Sequence, residues 1–188
     1  VTDADSTDTA VNITATDLVI TAVTGVGDTD AIETEVTTVD VYNAPGYGNA
    51  STANIEIDQL GVVGDLTVNQ AVQGSVGVSA LNSGSVIITT ADGNLIVDAG
   101  GQVTALDGGS VVLTAVDDGS GNGDVTINGV VSTSVLEYKV PWLMDTNAGS
   151  VTITADHNID VNADVRIFNI LDLYGEDDIA NGDIDLMA

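Results

Sequence analysis

Gly84-Ser85-Val86-Ile87-Ile88, Gly109-Ser110-Val111-Val112-Leu113 and Gly149-Ser150-Val151-Thr152-Ile153 are three versions of one phrase. Each opens on a glycine and a small hydroxyl residue and continues with aliphatics separated by one position. A period of two after a turn glycine marks a strand with one buried face. Working outward, the phrase returns at Gly64-Asp65-Leu66-Thr67-Val68, Gly74-Ser75-Val76-Gly77-Val78 and Gly93-Asn94-Leu95-Ile96-Val97. It returns again at Gly123-Asp124-Val125-Thr126-Ile127 and Gly182-Asp183-Ile184-Asp185-Leu186. Amphipathic helix spacing is not supported over any useful length.

A larger period emerges from whole blocks. Gly64 to Gly84 is 84 − 64 = 20 residues, Gly84 to Gly109 is 109 − 84 = 25, and Gly109 to Gly149 is 149 − 109 = 40. Setting aside the 14 residues 135–148 reduces the last step to 40 − 14 = 26. Repeats of this kind predict an all-β parallel β-solenoid with rungs of about 20–25 residues, each holding two or three short strands. Val86/Ile88, Val111/Leu113 and Val151/Ile153 then share an inward column, with Thr89, Thr114 and Thr154 as an outward ladder. Second strands are expected at Asn94–Val97, Asp124–Ile127 and Asn158–Val161, and third strands at Gln102–Thr104, Val131–Thr133 and Val165–Ile167. Eight or nine rungs would make a rod of roughly 40 Å. The alternative fold is an antiparallel β-sandwich, which also uses short alternating strands.

The expected organisation is one continuous domain. Residues 1–63 form a less regular strand-rich part, with strands at Val11–Ile13, Leu18–Ile20, Val39–Val41 and Asn54–Asp58 and a turn at Asn43–Gly48. Residues 64–188 form the regular rungs, interrupted by an excursion at 135–148. The first residues resemble neither an initiator Met nor a signal peptide, and the last phrase reads like a strand just begun. Both ends are therefore expected to be cuts within a longer polypeptide.

Composition narrows the chemistry. Of 188 residues 44% are hydrophobic but only 3% aromatic, so the core has to be built from Val, Ile, Leu and Ala. Lys plus Arg is 2 and Asp plus Glu is 29, giving 2 − 29 = −27. Phosphate recognition needs basic residues to displace counterions, and Lys139 and Arg166 are all there are; nucleic acid and anionic membrane surfaces are excluded as partners. There is no Cys, hence no disulfide or thiol chemistry. No run of 18 apolar residues is present, so no helical membrane insertion is expected.

Catalysis finds little to work with, and no catalytic residue is assigned. The single His, His157, sits where other blocks carry a turn Gly. No Gly-x-Ser-x-Gly nucleophile elbow occurs. Among 29 acids close carboxylate pairs arise by chance. An enzyme degrading acidic polysaccharides would need positive charge, which is missing. Three aligned threonines do not make the regular two-column array of an ice-binding face.

Calcium is the stronger chemical candidate, although no cofactor is required by the fold. Asp117, Asp118, Ser120, Asn122 and Asp124 place oxygen ligands around glycines, as hard cations prefer. Read from Asp118, the loop lacks the bidentate Glu of a calcium hand, because Gly129 stands there. The bland reading is a Gly-rich turn. The alternating Asp156, Asn158, Asp160, Asn162 and Asp164 read as a solvated outer face. A second candidate is a partner-binding patch at Tyr138, Trp142 and Met144, beside the only Lys; the bland reading is a loop covering core.

Asp30-Ala31-Ile32-Glu33-Thr34-Glu35-Val36, together with Gly64–Val68 and Gly149–Ala155, resembles the repeats of giant bacterial filamentous-haemagglutinin-like adhesins over roughly residues 30–188. The resemblance implies a right-handed parallel β-helix, export across a bacterial envelope to the cell surface, and a role in adhesion, matrix or coats. It carries no catalytic residues. The acidity and the excursion depart from that pattern. The expected function is a non-catalytic stalk or scaffold segment, with a self-assembling fibre or surface-layer subunit as the alternative. The expected partners are neighbouring repeats or other copies of the protein, and surface glycans or matrix ligands.

Overall fold

The computed structural model describes residues 1, 10–27, 30–43, 54–60, 64–70, 77–81, 83–136, 149–170 and 182–188. Among them lie fifteen strands and no helix. β1 (Ile13–Ala22) and β2 (Ile32–Asn43) are long; the rest fall into three faces. The first face holds β3 (Ile55–Gln59), β6 (Val86–Thr90), β9 (Val111–Ala115), β12 (Val151–Ala155) and β15 (Ile184–Met187). The second holds β4 (Leu66–Val68), β7 (Leu95–Val97), β10 (Val125–Ile127) and β13 (Ile159–Val161). The third holds β5 (Gly77–Ala80), β8 (Gln102–Ala105), β11 (Val130–Leu136) and β14 (Val165–Ile170). Every strand pairing is parallel, so the chain is a β-solenoid and the antiparallel sandwich is ruled out.

Register follows the aliphatic pattern. Ile55, Val86, Val111 and Val151 stack on one another, as do Ile57, Ile88, Leu113 and Ile153, and all eight are fully buried. Leu66/Val68, Leu95/Val97 and Val125/Ile127 build the second face's columns, and Val78, Val103 and Val131 build the third's. Burial alternates residue by residue in β3, β6, β9 and β12, which is what a period of two requires of a half-buried strand. Thr89 pairs with Thr114 and Thr114 with Thr154, forming the expected outer ladder.

The rung length differs from expectation. The Gly64 phrase leads into the second face and stacks on the Gly93 phrase, whereas the Gly84 phrase leads into the first, so 20 residues separate two faces of the solenoid and not two rungs. True steps on the first face are 86 − 55 = 31 and 111 − 86 = 25, the step from β4 to β7 on the second face is 95 − 66 = 29, and the first-face step grows to 151 − 111 = 40 across residues 135–148. One phrase marks several corners of each coil, which is why glycine spacing alone understates the period. Among the described residues the first face runs six levels from β2 to β15 and β1 adds one beyond β2, seven against the eight or nine expected, about 30 Å in length.

The corners are close-packed backbone. A Cβ on Gly109 would collide with the carbonyl oxygen of Gly84, and one on Gly149 with that of Gly109, so these two positions admit only glycine. β2 solves its corners differently. It has no glycine, and it serves all three faces in turn, pairing Ile32 with Ile57, Thr38 with Thr67 and Val41 with Val78. At the first corner the buried Gln59 side chain replaces a strand partner. Its Nε2 donates to the Val36 carbonyl at 2.7 Å, and its Oε1 accepts from the Val36 amide at 3.2 Å and from Thr34 Oγ1 at 2.8 Å. β1 and β2 wrap as long strands where later coils use three short ones.

Candidate functional site

The polar residues of interest lie where the chain turns from the first face to the second. The position before the second-face strand is held by Asp65, Asn94, Asp124 and Asn158 in successive coils. Strand register stacks them, and they bond upward as a ladder. Asp65 Oδ1 accepts from the Asn94 amide at 3.1 Å and from Asn94 Nδ2 at 2.8 Å. Asn94 Oδ1 accepts from the amides of Gly123 and Asp124 at 3.1 and 2.9 Å. Asp124 Oδ1 accepts from the Asn158 amide and Nδ2 at 3.0 and 2.9 Å. Carboxylate and amide alternate, so each acid faces donors and no two acids are adjacent in the column. At the other corner of the same face Asn162 Nδ2 donates to Asn128 Oδ1 at 3.1 Å. A shallow groove of about 400 Å³ runs over this face, lined by Asp124, Val125, Thr126, Asn158, Ile159 and Asp160.

The turn between β9 and β10 carries the densest group. Asp117 Oδ1 accepts from the amides of Gly119 and Gly121, both at 2.9 Å, which curls the loop around the carboxylate. Its Oδ2 accepts from His157 Nε2 at 2.9 Å on the next coil, while its own amide donates to Asp156 Oδ2 at 2.8 Å. The hydrogen bond from His157, then those from Gly121 and Gly119, hold the Asp117 carboxyl down at about 2. The same hydrogen bond raises the His157 imidazole above its ordinary value. Asp117 is thus a strut between two coils.

The carboxylates of Asp92, Asp117 and Asp118 converge, with oxygens all within 4.8 Å of one another. Asp92 comes from the turn one coil below. Ser120 Oγ donates to Asp92 Oδ1 at 2.8 Å, and Asn122 Nδ2 donates to Ser120 Oγ at 3.0 Å. Of the five expected ligands, Asp117 and Asp118 enter the cluster, Ser120 and Asn122 border it, and Asp124 sits in the ladder, bonded to Asn158. Calcium takes 6–8 oxygens, so these three carboxylates offer part of a shell. Sequence reasoning missed Asp92 because it searched along one loop. Only the pairing of Leu95 with Val125 sets the turn that carries Asp92 beside that loop.

His157 occupies the turn between β12 and β13, as expected, and bonds across coils. Arg166 lies 3.4 Å from Asp164, both exposed. Tyr138, Lys139, Trp142 and Met144 lie outside the described residues, as does the turn beyond Asn43; residues 135 and 136 of the excursion belong to β11. In comparisons with known proteins, no protein-family model, curated protein or solved structure matches the chain.

Proposed function

We propose that this chain is a non-catalytic structural segment of an extracellular bacterial adhesin or surface-matrix protein, a stalk or scaffold working by shape. The observation that supports it is where the side-chain chemistry goes. The aliphatics from Ile55 to Ile153 line continuous columns, and the described polar groups at the corners (Asp65, Asn94, Asp117, Asp124, His157) bond one coil to the next. Such a solenoid gains length with each coil added. A net charge of −27 keeps such rods apart in solution. Its partners in this reading are neighbouring coils of the same kind and surface glycans or matrix ligands.

Calcium belongs to the same proposal as a stiffening ion. Asp92, Asp117 and Asp118 would hold it between two coils, where it would neutralise carboxylates that otherwise repel.

Antibodies raised against the chain should label the outside of intact producing cells, and electron microscopy should show the epitope along thin surface projections. Labelling confined to the cytoplasm would overturn the reading. Filaments in which this segment repeats end to end would replace the stalk by a self-assembling fibre. Hydrolysis of a polysaccharide or ester by the purified chain would refute both.

A further inference from the structure

We draw no further inference here: the strongest candidate, the open strand edge at the β13–β14–β15 end of the solenoid, where Ile184, Leu186 and Met187 stand about half exposed, carries nothing because nothing in the structure shows what covers it.

Discussion

Val111 is the residue on which the stack can be tested most directly. It is fully buried, with Val86 below and Val151 above in register. Val111→Asp places an unpaired charge in a dry column, a cost of several kcal/mol for any group that cannot find a partner. The variant is expected to lose its cooperative far-ultraviolet transition at room temperature, and a melting temperature within a few degrees of wild type would contradict the inward assignment. A gentler case is Gln59→Leu. Removing the amide strands the Val36 N–H and C=O inside the solenoid and leaves the Thr34 hydroxyl only the Asp58 carbonyl at 3.5 Å, and each unsatisfied buried group costs about 1–3 kcal/mol. Urea titration should show a lower midpoint with nearly the same slope. An unchanged midpoint would mean that β2 holds its corner without this side chain.

Between residue and molecule stands the coil-to-coil contact at the β9–β10 and β12–β13 turns. His157 gains a partner on folding, so its folded value lies above the ordinary 6.5. Its contribution is fully present below 6.5 and fades as pH rises through the folded value. Asp117 moves the other way, from 3.8 to about 2. What it contributes is present above 3.8 and lost as pH falls through about 2. The pair therefore supports the turn most between those two limits, roughly pH 4 to 6.5, and salt weakens it because the partners are partly exposed. Melting temperature followed across pH should show wild type exceeding His157→Gln in that window, with the gap closing above it. Parallel curves from pH 4 to 9 would show that protonation of the pair contributes nothing to stability.

At the scale of the molecule, charge dominates. With −27 on 188 residues, any added salt should raise stability by screening repulsion. Calcium chloride is expected to raise the melting temperature more than sodium chloride at matched ionic strength, and Asp92→Asn combined with Asp118→Asn should remove most of that excess. Coincident curves for the two salts would leave screening as the whole explanation. The solenoid should also unfold from its ends. Amide exchange is expected to be slowest in β6, β7, β9 and β10, which have paired neighbours on both sides, and fastest in β1 and β15 at the ends of the stack. Uniform protection across the strands would contradict this.

How much of this could be read before folding differs from feature to feature. The inward columns and the three strand sets were legible, because a two-residue alternation after a glycine fixes which side chains are buried wherever one face is covered. The chemistry that composition excludes was legible too: two basic residues and no Cys stay two and none in any fold. Rung length was not, since the glycine phrase marks each corner alike and only pairing tells a corner from a full turn. Nor was the union of Asp92 with Asp117 and Asp118, or of His157 with Asp117. The His157–Asp117 pair lies 40 residues apart in sequence and meets across one coil spacing. In a solenoid the nearest neighbours of a surface residue are one coil away, so register between coils, which only the tertiary structure decides, determines which carboxylates meet.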